Sequence, residues 1–425
     1  MRMSKKRVLP RLRFPEFSSS REWEETTLSK LANFRRGSFP QPYGLPEWYD
    51  EQNGMPFIQV FDVGDDMRVK PETKNKISAL ASKQSVFIPK GTVIITIQGS
   101  IGRVAVTQYD AHIDRTLLLF ERFHRGINKI FIAHTLQILF EKEKQKAPGG
   151  IIKTITKEVL SDFKVNIPDA KEQQKIADCL TSLDDLIVTE NKKLEVLKEY
   201  KKGLMQKLFP AEGEAVPECR FPEFKGSGEW ETNAFRTYIK LYRGSSPRPI
   251  QNYLTKNDGV NWIKIGDTKN AERFIIKNVE EQITNEGAKK SRYVNIGELI
   301  LANSMSYGKT YIVGIAGCIY DGWFVLREYE KYFIKQFLIQ LLNSDYLQKQ
   351  YLSLSTGGVV QNISSDIVYA TLLKRPQLDE QERIADCLLS LDDLITAQTE
   401  KIETLKLHKK GLMQGLFPSA QEVFG

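Results

Sequence analysis

The sequence predicts an α/β (α+β) protein written as one module twice: two similar globular domains separated by two long antiparallel coiled-coil helices, related by a pseudo-two-fold. Three observations predict it: a helical segment that recurs almost unchanged, a fainter repeat of the regions between, and an apolar seam of heptad spacing in both copies.

The segment Glu172 to Pro210, EQQKIADCLTSLDDLIVTENKKLEVLKEYKKGLMQKLFP, returns 208 residues later as Glu380 to Pro418, EQERIADCLLSLDDLITAQTEKIETLKLHKKGLMQGLFP, with 26 of 39 positions identical. Arg13-Phe14-Pro15-Glu16-Phe17 returns as Arg220-Phe221-Pro222-Glu223-Phe224, and Glu22-Trp23-Glu24 as Glu229-Trp230-Glu231. Arg36-Gly37-Ser38 matches Arg243-Gly244-Ser245, Ser100-Ile101-Gly102-Arg103 matches Ser306-Tyr307-Gly308-Lys309, and Gly149-Gly150 matches Gly357-Gly358. The helical part is thus nearly copied, while the globular parts share a scaffold with different residues hung on it. Supports that agree and domains that differ suit a protein that holds two unlike ligand-reading surfaces in a fixed relation.

Within the copied segment the apolar residues step by four and three: Ile176, Leu180, Leu183, Ile187, Leu194 and Leu197, then Leu204 and Leu208, with Glu190 and Lys201 at the skipped positions. The second copy keeps the seam at Ile384, Leu388, Leu391, Ile395, Ile402 and Leu405, then Leu412 and Leu416, with Gln398 and Lys409 in the gaps. Each helix begins after Ile167-Pro168 or Arg375-Pro376 and stops at Leu-Phe-Pro, because proline cannot continue the hydrogen-bond ladder. About 35 residues make a rod of roughly 50 Å, too long to stand without a partner along its seam, and the other copy supplies one. An antiparallel pair puts the globular domains at opposite ends and brings the chain's end back near its beginning. The expected order is an N-terminal arm (1–19), first domain (20–170), first helical spacer (171–210), linker (211–228), second domain (229–378), second spacer (379–418) and tail (419–425).

Strands are predicted at Phe57–Val60, Val93–Ile97 and Val104–Val106, matched by Trp262–Ile265, Leu299–Leu301 and Tyr311–Val313. A helix follows in each domain, near Ile130 to Gln145 and Phe333 to Tyr351. The loops between carry amide, hydroxyl and cationic groups, the groups that pair with base edges and phosphates. The candidate DNA-binding residues are Arg36, Ser38, Gln98, Ser100, Arg103, Lys153 and Thr154 in the first domain. In the second they are Arg243, Ser245, Arg248, Asn303, Ser306, Lys309, Gln361 and Asn362. Turn chemistry alone recruits Gly, Ser and Asn, so such loops also arise without any ligand.

Composition sets outer bounds. Sixty-one Lys plus Arg against fifty-three Asp plus Glu leave a net charge of +8, which favours a polyanionic partner. No apolar run approaches the roughly 20 residues of a membrane span, and the basic stretch Met1 to Arg13 leads into no apolar segment, so a cytoplasmic location is expected. Cys179, Cys219, Cys318 and Cys387 form no C-x-x-C pair and the four histidines no ligand spacing, so neither disulfides nor a metal site is expected. Gly308-Lys309-Thr310 hints at a phosphate loop, but the motif needs glycine at 303, where Asn303 stands. Pro168-Asp169 and Glu190-x-Lys192 imitate a nuclease set, yet on a helix they lie about 30 Å apart, too far to share a metal. The neighbouring pairs Asp184-Asp185 and Asp392-Asp393 do not face each other on a helix and read as partner-docking or capping charges, and Lys192, Lys193, Lys198, Lys201 and Lys202 as solvated faces. No catalytic residue is expected in this chain.

The double EQ-x-x-IADCL-x-SLDDLI helix ending in KKGLMQ-x-LFP, with its RFPEF and EWE openings and GSIGR-type loop, resembles the specificity subunit of type I restriction-modification enzymes over residues 11 to 418. The resemblance implies two target recognition domains, each reading one half of a split, asymmetric duplex DNA sequence. It implies helices that set the unread gap and dock modification (methyltransferase) subunits, two of them, with motor-nuclease restriction subunits joining the assembly. S-adenosylmethionine, ATP and Mg would belong to those partners and no cofactor to this chain. A stand-alone duplicated coiled-coil DNA-binding protein, repressor-like, is the competing reading.

Overall fold

The computed structural model describes residues 7–146, 155–304, 308–354 and 363–418. The chain divides into two compact units, residues 1–191 with 401–425, and residues 192–400. These are not the sequence modules: each unit joins one globular domain to the first half of its own long helix and the second half of the other. The physical reason is the seam, which makes each helix fold its far half onto the other copy.

In the first unit a four-stranded antiparallel sheet runs in the order Ala32–Arg36, Leu117–Phe123, Val93–Thr96, Val104–Val106. A mixed sheet runs Asn75–Ile77, Met55–Ile58, Ala111–Ile113, Val86–Ile88, with the central pair parallel. The two-residue period sends Val93, Ile95, Leu118 and Phe120 toward the helix Lys129–Lys146, while Ile94, Leu117 and Leu119 join Ile58, Ile88 and Ile113 in a second core. A strand buried on both faces reads as an unbroken apolar run, which is why Val93–Ile97 was legible. The second unit repeats the plan with five strands per sheet. Lys240–Arg243, Trp323–Arg327, Leu299–Ala302, Thr310–Val313 and Ile275–Ile276 form one sheet; Leu254–Thr255, Glu281–Ile283, Val260–Ile263, Gly317–Ile319 and Arg292–Val294 form the other.

Within the globular domains, two expected elements need correction. The strands expected at Phe57–Val60 and Trp262–Ile265 end two residues early, because Asp62 and Asp267 accept the backbone N–H of Gln59 and Lys264 and turn the chain into a 3-10 turn. The single helix expected near Phe333 to Tyr351 is two, Lys335–Leu342 and Asp345–Leu354. Asn343 breaks it: its side chain accepts from Thr310 N and donates to Thr310 O, and the Ser344 hydroxyl accepts Leu347 N at the next helix start.

The long helices span Ala170–Leu208 and Leu378–Leu416. Their first turns are anchored in the globular cores by the Glu-Gln of the repeat. Glu172 receives Arg13 Nε and Nη2 at 2.8 and 2.7 Å and Trp23 Nε1 at 3.3 Å; Glu380 receives Arg220 at 2.7 and 2.6 Å. Gln173 and Gln381 donate to Pro168 O and Pro376 O and accept Asn128 N and Ile334 N. The Arg of each RFPEF arm is therefore the partner that lets a helix glutamate be buried. Each Leu-Phe-Pro end closes an aromatic cluster: Phe417 with Trp23 and Phe131, and Phe209 with Trp230 and Phe337. Leu12 N donates to Gly415 O, so the chain's end does return to its beginning, and Cys219 N donates to Lys207 O in the same way.

Ile176, Leu180, Ile187, Leu194, Ile384, Leu388, Leu391 and Ile402 are buried, and Leu183, Leu197, Ile395 and Leu405 half-buried. Ile176, Leu180, Ile384 and Leu388 lie in the domain cores, so the first turns of the seam serve the domains rather than the coil. Within the first unit Lys409 pairs with Asp184 and Lys401 with Glu190; within the second Lys201 pairs with Asp392. As one partner's number rises the other's falls, so the helix halves run antiparallel. The acid pairs lie mid-helix and cap nothing: the first Asp of each takes a lysine across the seam, and the second takes Arg68 or Arg273 of its own domain. Lys201 is no solvated residue but the seam cation.

His134 sits in the first unit's coil junction, and burial pushes its imidazole down to about 3, with Lys409 adding to the shift. Its Nε2 is 3.9 Å from Asp184 Oδ2, but Lys409 already holds that carboxylate, so the imidazole stays neutral. Between the ordinary value of 6.5 and about 3 the unfolded chain binds a proton that the native state does not. Stability therefore falls as pH drops through that window, by at most ~1.4 kcal/mol per pH unit. Gln340 occupies the matching site of the second copy. His134→Gln is expected to flatten the pH 7 to 5 dependence of the urea midpoint; an unchanged slope would show that His134 does not set it.

Candidate nucleic-acid interface

The Arg-Gly-Ser loops leave the sheets that hold Ala32–Arg36 and Lys240–Arg243 and cross to the other sheet of each domain through positions only glycine can fill. A Cβ on Gly37 would lie 2.4 Å from the carbonyl oxygens of Ile113 and Asp114, and one on Gly244 2.0 Å from that of Tyr320. Gly37 N and Gly244 N donate to Leu117 O and Trp323 O, which fixes each loop against the turn that carries Asp114 or Asp321. Ser38 Oγ then donates to Gln84 O and Ser245 Oγ to Lys290 O, so both hydroxyls brace the loop from within. Arg36 is exposed beside them. Arg243 is exposed too, with Nε 3.3 Å from Asp321 O, and Arg248 stands 82% exposed, 3.5 Å from the Asp321 carboxylate.

Sequence reasoning missed the two aspartates that organise these loops. Asp114 is buried and accepts the Tyr43 hydroxyl and the Thr116 hydroxyl and N–H. Burial, with the Asp114 hydrogen bond, raises the Tyr43 phenol, and Arg115 lies over its ring. The Asp321 carboxyl is held below its ordinary value, first by the Ser246 hydroxyl. A common offset of 207 residues was the available signal.

The first hairpin tip turns on Gly99 and Gly102, at φ 65° and 84°, and leaves Gln98 and Ser100 exposed. Arg103 points back into its own domain, 2.7 Å from Asp65 and 3.2 Å from Val63 O. In the second domain Asn303 is buried, donates to Asp321 O at 2.9 Å and accepts Ile363 N at 2.6 Å, while Lys309 is half-buried. A cavity of about 340 Å³ there is lined by Arg243, Asn303, Phe324, Ser364 and Tyr369, so two predicted loops meet at one place. Lys153, Thr154, Ser306, Gln361 and Asn362 lie outside the described residues. Among the described residues no cluster of His, Cys, Asp and Glu could hold a metal ion, and no helix is long and apolar enough to cross a membrane.

Two domains on one plan, each with an exposed arginine on its Arg-Gly-Ser loop, and a pair of copied helices make an arrangement with known counterparts. The profile of the type I restriction modification DNA specificity domain matches twice, over residues 20–199 and 239–407. The chain belongs to that family. As a type I specificity subunit it carries two target recognition domains, one per match. Among its relatives is the MjaVIII specificity subunit of Methanocaldococcus jannaschii, 23% identical over 344 residues, 78% of this chain and 79% of the relative. The EcoBI specificity subunit of Escherichia coli is 26% identical over 241 residues, 53% of this chain and 49% of the relative. The crystal structure of the type I S subunit from M. genitalium has the same fold, with a TM-score of 0.55 at 13% identity, covering 97% of this chain and 100% of its own. So does a chain from a structural study of assembly and conformational transition of the type I R-M system, with a TM-score of 0.60 at 15% identity over 93% of this chain and 98% of its own.

Proposed function

We propose that the two recognition domains of this subunit read the unlike halves of a split, asymmetric duplex target, and that the long helices set the unread gap and dock two modification subunits. The chain is non-catalytic in this reading. Adenine methylation with S-adenosylmethionine resides in the modification subunits, ATP- and Mg-dependent cleavage in the restriction subunits, and the assembly works in the cytoplasm.

One observation carries the two-partner part. A buried seam constrains only buried positions, yet exposed positions of the helices are copied too. Asp178, Ser182 and Leu186 recur as Asp386, Ser390 and Leu394, and Lys202 and Gln206 as Lys410 and Gln414, all exposed. Between them exposed identity is partial: Lys193, Glu195 and Lys198 recur as Lys401, Glu403 and Lys406, while Thr189, Lys192, Val196, Glu199 and Tyr200 are replaced by Ala397, Glu400, Thr404, Leu407 and His408. Leu186 and Leu394, 41% and 54% exposed, are large apolar groups that folding leaves in water at the same place twice. Antiparallel pairing aligns the 178–186 stretch with 407–415 in the first unit, and 386–394 with 199–207 in the second. Each unit thereby presents the same composite surface, which suits two copies of one partner.

The test is co-expression with the modification subunit, with native mass measurement and methylome sequencing of the host. A split, asymmetric adenine-methylated motif is expected. Leu186→Glu or Leu394→Glu alone should each reduce the bound modification subunits from two to one, and together to none. Two subunits retained on a folded single variant would refute the docking surface.

A further inference from the structure

We propose that Phe87 and Tyr293 are sequence-independent duplex contacts, one in each recognition domain, packing their ring faces on the sugar-phosphate backbone beside the Arg-Gly-Ser loop. The inference rests on the DNA-reading function proposed above and names surface residues for it.

Phe87 lies on the strand Val86–Ile88 and Tyr293 on Arg292–Val294, each at the edge of the second sheet of its domain, the one that holds Met55–Ile58 or Val260–Ile263. The flanking residues point inward: Val86, Ile88 and Val294 are buried, and Arg292 is half-buried. The aromatic points outward at 50% and 49% exposure. Register shows the positions to be equivalent, because Phe87 pairs with His112 as Tyr293 pairs with Cys318, on the strand parallel to Met55–Ile58 or Val260–Ile263. Phe87 meets the His112 ring edge-to-face at 5.7 Å, yet half of its surface and of Tyr293's is left in water, and these domains have diverged nearly everywhere outside their scaffolds. Keeping an exposed ring twice at one register points to a ligand common to both.

The surroundings indicate which. The spacing Lys-x-Ser-x-aromatic is kept, as Lys83, Ser85, Phe87 and Lys289, Ser291, Tyr293, with both lysines exposed. The Arg-Gly-Ser loop is tied to this segment in each copy: Ser38 Oγ donates to Gln84 O and Ser85 Oγ to Ser38 O, while Ser245 Oγ donates to Lys290 O and Arg292 Nε to Arg243 O. Ring, lysine and the exposed arginine, Arg36 or Arg243, thus stand on one rim. Cations around an apolar face fit a polyanion with apolar sugars between its charges. Since the two domains read different bases, what they share belongs to the part of the duplex that does not vary with sequence, its backbone.

The experiment uses the complex co-expressed with its modification subunit and measures affinity for the methylome-defined site and for an unrelated duplex at several salt concentrations. Phe87→Ala and Tyr293→Ala are each expected to weaken binding to both duplexes about tenfold, with neither half of the methylated motif altered. Phe87→Tyr and Tyr293→Phe, which exchange the rings between copies, should bind like the parent. Unchanged affinity, an altered motif, or loss of the modification subunit from the purified complex would each overturn the inference. Arg36→Ala and Arg243→Ala serve as reference: if they weaken binding while the aromatic variants do not, this inference fails alone, and if none has an effect the DNA-facing assignment of this rim fails with it.

Discussion

Glu380→Ala is expected to cost the second unit about 3–5 kcal/mol, the range for removing one partner of a buried ion pair. The carboxylate is 1% exposed and the Arg220 guanidinium 7%, joined by two parallel hydrogen bonds. Without Glu380 the guanidinium keeps only the Gly228 carbonyl among its described partners and stays buried where water cannot solvate it. Glu172→Ala should act likewise on the first unit, where Trp23 Nε1 also loses its acceptor. The internal control is Glu223→Ala, which breaks the Arg383–Glu223 pair at 3.2 Å, both side chains about half exposed, and should cost under ~1 kcal/mol. Because two units need not unfold as one step, the measurement is hydrogen exchange resolved by segment, with protection lost across residues 299–342 for Glu380→Ala. A loss no larger than that of Glu223→Ala would remove the Arg-Glu anchor from the account of why both copies keep it.

Those anchors mark where the sequence was legible and where it was not. The repeat, the seam and the helix ends follow from local rules: heptad spacing, proline stops, and identity between copies. The strands Val93–Thr96 and Leu299–Ala302 announced themselves because both faces are buried. Met55–Ile58 did not give its true end, since Asp62 turns the chain through a side-chain hydrogen bond that periodicity cannot register. The charged positions were harder still. Asp184 and Lys409 lie 225 residues apart, and only the antiparallel register makes them neighbours. The loop residues divided by geometry: Arg36, Arg243, Arg248, Gln98 and Ser100 face solvent, while Asn303 and Arg103 are turned to internal partners. An amide or guanidinium on a glycine-rich turn can serve either purpose, and the choice depends on carbonyls and carboxylates brought close by the fold.

If the helices set the number of unread base pairs, the largest change in the target should come from lengthening both of them together. The ion pairs dictate how. Lys409 and Lys401 pair with Asp184 and Glu190 on one side of Asn191, and Lys201 with Asp392 on the other, so the chain offers one place where each helix can be extended without disturbing either set. Four residues inserted near Asn191 alone would shift the Lys201–Asp392 register by a full turn. A matching insertion near Thr399, the equivalent position, restores it. At about 1.5 Å per residue the doubled insertion adds roughly 6 Å, which is one to two base pairs at about 3.4 Å each. The expected methylome keeps both half-sites, gains one or two unread positions between them, and loses every site of the original spacing. The single insertion, with Lys201 and Asp392 out of register, should give a smaller shift at lower stability, or no active complex. An original gap in a doubly extended, fully active subunit would show that something other than helix length sets the spacing.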